Sequence, residues 1–365
     1  MKVSIIDPVG GHGGMDYYDY GLAQGLGGND LSVDYYTCNK TNVRLYENVQ
    51  TKTIFGNVWE KKGLLKLLTF LNGYLKSFKS AKQAKSEVLH FQFFGLGIIN
   101  LFVLGLACLF KQKKVVTLHD IESFHQGSSK FIAKLCLKFI DGIIVHNQFS
   151  KSEFEKSFKF HGITSIIPHG NYLPFVTTQP LNSDSQKINI LFFGQIKEVK
   201  GIDVLLDAME KVVQKSNNYH LTIAGRPWKT EVRHYEDKIK EKGLMNHVTT
   251  HFKYIKDKDV DQLYKEATVI VMPYKKIYQS GVLLLSFSYG RTVIASDLPP
   301  FKEVISDEKN GFLFESEDSS SLSSCILKLN HKSISNATEN SKNLISKEYD
   351  WVKIGKATLK FYTNL

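Results

Sequence analysis

Lys197 and Lys200 lie between the strand-like run INILFFG (188–194) and Gly201, which opens a helical pattern. Two ammonium groups beside a helix N-terminus are what a diphosphate needs to offset its charge. A second stretch, MPYKKIYQSGVLLLSFSYGRTVIASD, puts Gln279, Ser280 and Gly281 just ahead of an apolar helix. Ser280 has the type and place of an N-cap, and the helix end it opens suits a second grip on phosphate. A third loop, PVGGHGGMDYYDYGL, contains Gly10, Gly11, Gly13 and Gly14, which let backbone approach a ligand closely. The dinucleotide fingerprint GxGxxG is absent there, so the loop is a poor match to a nicotinamide site. Asp16 opens the helix after this loop, where an acid commonly stabilises the positive dipole end.

These loops need elements to hold them. KVSII (2–6), LSVDYYT (31–37), EVLHFQF (87–93), VVTLH (115–119), GIIVHN (142–147) and SIIPHG (165–170) read as strands. The stretches between them are long enough for helices, and this alternation predicts an open parallel sheet covered on both faces. The pattern restarts at 188 and continues through HLTIAG (220–225), HVTTHF (247–252), TVIVMPY (268–274) and TVIASD (292–297). The polar segment TTQPLNSDSQK (177–187) lies between the halves and reads as a linker. The tail, with apolar or aromatic residues at 351, 354, 358, 361 and 362, predicts an amphipathic terminal helix.

The 365 residues are 42% hydrophobic and 23% charged, ordinary globular values that exclude a disordered or collagen-like chain and predict two domains. Four scattered cysteines (Cys38, Cys108, Cys136, Cys325) have neither disulfide-scaffold nor zinc spacing and fit a reducing cytoplasm. The short apolar run at the start reads as a first strand rather than a leader. The net charge of +11 points to anionic partners. Residues 1–175 hold 20 Lys/Arg against 13 Asp/Glu, so most of that excess is N-terminal. Part of it is KKGLLKLLTFLNGYLKSFKSAKQAK (61–85), with seven lysines and no acid. This segment suits either an anionic membrane surface or an ordinary solvated helix on the sheet. The uncharged stretch 94–110 is at the lower limit for a bilayer span, but its place between two strands predicts a buried crossover helix. No groove-reading motif, RNA module or zinc finger accompanies the charge, so nucleic acid is not the expected partner.

The pieces FFGQIKEVKG, HLTIAG, VTTHFKYIKDKDVDQLYKEATVIVMPY, QSGVLLLSFSYGRTVIASDLPPFKEVI and NGFLFESED occur in an order and spacing that resemble the GT-B glycosyltransferases. The particular likeness is to the bacterial nucleotide-sugar enzymes numbered family four (glycosyl transferases group 1). It implies an α/β GT-B fold of two doubly wound Rossmann-like domains facing a cleft. The acceptor-side domain is expected at 1–176, the linker at 177–187 and the nucleotide-sugar domain at 188–347. A helix at 348–365, with Trp351, is expected to cross back onto the first domain.

The resemblance assigns the donor diphosphate to Gly194, Gln195, Lys197, Lys200, Gln279, Ser280, Gly281 and Val282. Gln195 stands where the family usually has an arginine, so Lys197 supplies the second charge. The family's Glu-x7-Glu pair falls on Ile277 and Leu285, and the chain resembles a subgroup with a Gln-Ser-Gly turn instead. Asp297 or Glu303 are candidates for part of that lost function. Arg226 and Tyr254 fall on the nucleoside side, and Gly13, Gly14 and Asp16 on the acceptor and sugar side. His119, at the end of a strand, is placed near the transferred sugar, where an imidazole can bond a hydroxyl or assist proton transfer. His146 and His169 also match family positions, with structural roles. The catalytic set is then His119, Asp120 and Lys200.

The implied reaction is transfer of a sugar from a UDP- or GDP-sugar to a hydroxyl of a lipid-linked glycan in bacterial surface polysaccharide assembly. It is expected to be retaining and to need neither metal nor other cofactor; inversion would call on Asp120 or Asp16 as base. The expected location is cytoplasmic, peripheral on the inner face of the membrane. The alternative is a non-catalytic nucleotide-sugar or glycan-binding subunit.

Overall fold

A first parallel sheet forms where the apolar runs of the N-terminal half sit side by side. In chain order its elements begin β1 (Lys2–Ile6), α1 (Met15–Gly27), β2 (Ser32–Tyr36), β3 (Val49–Lys52), α2 (Gly63–Gln83) and β4 (Val88–Phe93). They continue α3 (Ile98–Ala107), β5 (Lys113–Leu118), α4 (Lys130–Leu137), β6 (Gly142–Val145), α5 (Gln148–Ser157) and β7 (Ile163–Ile166). The strand order is β3-β2-β1-β4-β5-β6-β7, so the winding reverses between β1 and β4. Ile6 pairs with both Tyr36 and Phe91, and Phe93 with Leu118, which brings the carboxyl ends of the central strands level. Ligands of open α/β sheets bind at such a reversal.

The second sheet comprises β8 (Ile188–Phe193), β9 (Tyr219–Ala224), β10 (Val248–His251), β11 (Val269–Met272), β12 (Thr292–Ser296) and β13 (Phe312–Phe314). Its order is β10-β9-β8-β11-β12-β13, all parallel, with the reversal between β8 and β11. Around it run α6 (Ile202–Val213), α7 (Arg233–Glu241), α8 (Asp257–Glu266), α9 (Gly281–Ser288), α10 (Pro299–Lys302), α11 (Ser319–Lys328) and α12 (His331–Glu348). The last helix is α13 (Trp351–Thr363).

This computed structural model describes residues 1–11, 14–120, 130–177 and 187–365. The expected acceptor-side Gly13 and most of the 177–187 segment lie outside them. The chain divides into one unit of Met1–Gly170 with Tyr349–Leu365, and a second of Asn171–Glu348.

In the first unit α13 lies on α1 through glycines. A Cβ on Gly25 would sit 1.9 Å from the Trp351 carbonyl oxygen, and one on Gly355 2.1 Å from that of Gly25. The two backbones therefore touch, and the Asn29 amide donates to the Val352 carbonyl (2.9 Å). Asp350 caps α13 by accepting from the Val352 and Lys353 amides.

The stretch 94–110 departs from its expectation. Only Ile98–Ala107 is helical, and while Val103, Leu104 and Ala107 are buried, Ile98, Ile99 and Phe102 are exposed. Among the described residues no helix is long and apolar enough to cross a membrane.

Candidate functional site

In the second unit, the loops after β8 and β11 meet at the sheet reversal. Gly194 leaves β8 at φ 132°, a conformation open to glycine. A Cβ on Gly194 would lie 3.7 Å from Val282 Cγ2, so this turn abuts the first turn of α9. A Cβ on Gly225, after β9, would fall 1.6 Å from the Gly194 carbonyl oxygen, so this close crossing requires glycine.

Lys200 is fixed by the same packing. It ends a short 3-10 turn, Glu198–Lys200, and Gly201 follows at φ 68° as the N-cap of α6. A Cβ at Gly201 would stand 1.7 Å from the Pro273 carbonyl oxygen, and the Lys275 amide donates to the Val199 carbonyl (2.9 Å). The two loops are thus joined by backbone, and Lys200 Nζ lies 3.6 Å from the centroid of the buried Tyr274 ring. That ammonium-on-ring contact holds the cation at the loop junction.

Ser280 is the N-cap of α9, its hydroxyl accepting from the Leu283 amide (3.2 Å). Gly281, the first helical residue, packs on Tyr172, whose hydroxyl would be 2.8 Å from a Cβ there. The first-turn amides of α9 have no intrahelical acceptors and carry the positive end of the helix dipole. A half-buried ammonium, a capped helix start and two glycine turns that admit close backbone approach supply the positive charge and amide donors that an anion requires.

The other expected donor residues are less tightly placed. Lys197 Nζ lies 5.8 Å from the exposed Trp228 ring, and Gln195 and Arg226 are exposed. Tyr254 is exposed too. Ile277 and Leu285 are half-buried. Asp297 accepts from Lys302 (2.8 Å) and the Ser316 amide (3.0 Å), and Lys302 holds its carboxyl below the usual range; Glu303 is exposed.

In the first unit, the carboxyl ends of β4, β5 and β6 carry a buried imidazole chain. His119 Nε2 is 2.9 Å from Gln92 Oε1, His119 Nδ1 is 3.4 Å from His146 Nε2, and His146 Nδ1 is 2.9 Å from the Ile167 carbonyl. Burial holds all of these rings well down in pKa, with His146 at about 3 and His169 at about 4. Neutral rings fit in one direction only. The Ile167 carbonyl can only accept, so His146 donates from Nδ1 and accepts at Nε2; His119 then donates from Nδ1. Its Nε2 lone pair needs a donor, which Gln92 supplies once its amide is turned over. The Gln92 amide nitrogen is otherwise buried without a partner, and amide orientation is an assignment rather than an observation. Both ring nitrogens of His119 are therefore engaged inside the protein. Tyr18 packs on this chain, 4.8 Å from His119, 5.4 Å from His146, 5.0 Å from His169 and 5.6 Å from Trp351 between ring centroids.

Asp120, half-buried, follows His119. Asp16 is bound to its own loop: it accepts from the Gly11 amide (2.7 Å) and the Asn42 amide (3.4 Å). It thereby closes the turn that Gly14, at φ 84°, opens into α1.

One carboxylate pair escaped sequence reasoning. Asp7, just past β1, and Asp19, on α1, are fully buried, and with no other partner for Asp7 Oδ2 or Asp19 Oδ1 the two carboxyls can bond to each other only through a proton. Burial pushes Asp7 up to about 6 and Asp19 well above the usual range, so the pair holds a shared proton, with the Tyr35 hydroxyl donating to Asp19 (2.9 Å). Their twelve-residue separation, strand end to helix interior, gives no sequence signal.

Comparison with known proteins agrees with the second-unit geometry. Residues 187–332 match the family described as glycosyl transferases group 1. A GDP-mannose:glycolipid 4-beta-D-mannosyltransferase of Xanthomonas campestris pv. campestris is 29% identical over 170 residues, 45% of this chain and 46% of that protein. A phosphatidyl-myo-inositol mannosyltransferase of Mycobacterium leprae is 22% identical over 256 residues, 66% of each chain. The chain spans under half the length of the first curated relatives it matches, 46%, 46% and 45%. Among solved structures, sucrose-phosphate synthase of Thermosynechococcus elongatus superposes with a TM-score of 0.78 at 19% identity, covering 100% of this chain and 98% of that one. The Anabaena HepE protein in complex with UDP does so with a TM-score of 0.75 at 17% identity, covering 100% of both. The chain therefore has the α/β GT-B fold, and its residues 187–332 match the family described as glycosyl transferases group 1.

Proposed function

We propose that the protein transfers a sugar from a nucleoside-diphosphate sugar to a hydroxyl of a lipid-linked glycan. The observation that carries this reading is the junction of Lys200, Gly201 and the Ser280-capped start of α9 at the reversal between β8 and β11. Charge develops on the leaving diphosphate as the glycosidic bond to it breaks. A positioned ammonium and helix amides stabilise that charge without reorganising, which is where such sites gain rate. Lys197, Gln279 and Val282 complete the cradle, and Arg226 and Tyr254 flank the nucleoside. The departing diphosphate takes the proton of the acceptor hydroxyl, the route that retains the anomeric configuration.

A UDP- or GDP-sugar donor is supported by relatives whose names carry GDP-mannose and by a neighbour in complex with UDP. A lipid-linked acceptor is supported by the glycolipid and phosphatidyl-inositol in the relatives' names. Assembly of a bacterial surface polysaccharide at the inner face of the membrane is the setting that joins these two. The histidine chain of the first unit shapes the acceptor side, with His119 a positioning group.

A thermal-shift screen with UDP, GDP and their sugars tests the donor, because a ligand of the native state raises its stability. One nucleotide series is expected to raise the transition; no shift with any of them contradicts the reading. Donor binding without turnover or hydrolysis would favour the non-catalytic alternative.

A further inference from the structure

The helices α2 and α3 leave an apolar face uncovered. The second half of α2 packs on the sheet through Gly73, Tyr74, Ser77, Phe78 and Ala81. Its first two turns do not: Leu64 is 70% exposed, and Leu65, Leu67 and Leu68 are exposed with it. At roughly 100° per residue these leucines cover about 160° of the helix, with Lys62 and Lys66 on the opposite side. Lys66 is held there by Trp59, its Nζ 4.2 Å from the ring centroid.

On α3 the exposed Ile98, Ile99 and Phe102 (61% exposed) fall within about 100° of one another, with buried Leu104 opposite and buried Ala107 about 130° from their centre. Phe94 and Leu109, at either end of the stretch, are exposed as well. A cavity of about 350 Å³ is lined from both helices, by Phe70 and Tyr74 of α2 and by Phe94, Gly97 and Asn100 around the start of α3. Contiguous exposed apolar side chains of this number mark an interaction surface rather than ordinary protein surface.

We infer that α2 and α3 together form a docking surface for an anionic lipid bilayer, with leucines, isoleucines and phenylalanines entering the headgroup boundary. This rests on the lipid-linked acceptor proposed above and names how the chain reaches it. The charge selects the partner. Segment 61–85 carries seven lysines and no acid, and lysines near an anionic leaflet each add to the apolar attraction. A second copy of this chain would set the same positive segment against itself.

The test is flotation of the full-length chain with vesicles of phosphatidylcholine alone or mixed with phosphatidylglycerol. Binding to the mixed vesicles is expected to be at least about tenfold tighter than to phosphatidylcholine alone. The double variant Ile98→Ser/Phe102→Ser is expected to lower affinity for mixed vesicles at least about tenfold, and Leu64→Ser/Leu68→Ser likewise. Both pairs are exposed, so an unchanged thermal transition is the folding control. As a variant that leaves the apolar face intact, Lys76→Gln/Lys79→Gln/Lys82→Gln, whose exposed lysines lie within about 120° of Leu64 on the leucine side of α2, is expected to erase the preference for phosphatidylglycerol. No vesicle binding, equal binding by the α3 variant, or a solution dimer that the same variant dissociates would each overturn the inference. The nucleotide thermal shift is read separately, so failure here and failure of the donor reading are distinguishable.

Discussion

Lys200 stands over the face of Tyr274, its ammonium 3.6 Å from the ring centroid, and so links the loop after β8 to the loop after β11. The ring orients the cation, and its face carries no net charge of its own. Lys200→Ala should therefore lower turnover by about a hundredfold or more while barely moving the thermal transition. Tyr274→Leu should keep the charge and lose its placement, giving a smaller loss that Tyr274→Phe does not show. Steady-state kinetics beside a melting curve reads both.

The glycine after Lys200 gives a sharper structural test. Gly201 and Gly243 have nearly the same left-handed φ, 68° and 66°, but a Cβ on Gly201 meets the Pro273 carbonyl at 1.7 Å and one on Gly243 meets nothing within 4 Å. Gly243→Ala should cost about 1 kcal/mol from conformation alone. Gly201→Ala adds a backbone collision and should cost about 2–5 kcal/mol, with loss of nucleotide binding. Urea denaturation of the two variants compares them directly.

The imidazole chain sets a pH dependence. His90, bonded to Tyr362 (2.6 Å) and Thr117 (2.7 Å), is lowered by burial to about 3, His146 to about 3 and His169 to about 4, and His119 is lowered as well. Unfolded histidines take protons near pH 6.5 that these folded ones refuse. Their contribution is therefore present above about 6.5 and lost as pH falls toward 4. Asp7, raised to about 6, opposes this, since the folded state holds its proton more tightly and stability falls as pH rises through 6. Four histidines outweigh one shared-proton pair, so net stability should rise from pH 4 to 6.5. His90→Asn should flatten that rise and Asp7→Asn should steepen it, as denaturant melts across the range would show.

The strands were legible because a parallel sheet buried on both faces needs continuous apolar runs such as VSII and INILFF. Exceptions were β3, a four-residue polar edge strand, and the three-residue β13, both too short for any periodicity, and β7, expected at 165–170 but formed by the half-exposed edge residues Ile163–Ile166. Lys200, Ser280 and the glycines around them were legible because local chemistry, a cap and a turn, dictates their types. Partners formed by folding were not. Gln92 reaches His119 from the neighbouring strand, Asp19 meets Asp7 across a helix–strand contact, and Gly25 matters only because α13 returns to it. The uncovered face of α3 was hidden too, since an apolar helix reads as buried until its neighbours are placed.

The glycines at the α1–α13 contact give one more expectation. Gly355→Val, with Gly25 O at 2.1 Å from the new Cβ, should force the helices apart and lower the melting transition of the first unit. Trp351 fluorescence follows this, because Trp351 is buried against Tyr18.

The most direct test of the donor site is isothermal titration of UDP, GDP and their sugars into the wild-type chain and Lys200→Ala. Binding by one nucleotide series is expected, with at least about tenfold weaker binding of its diphosphate to the variant. Equal affinity in the two proteins, or no affinity in either, would contradict it.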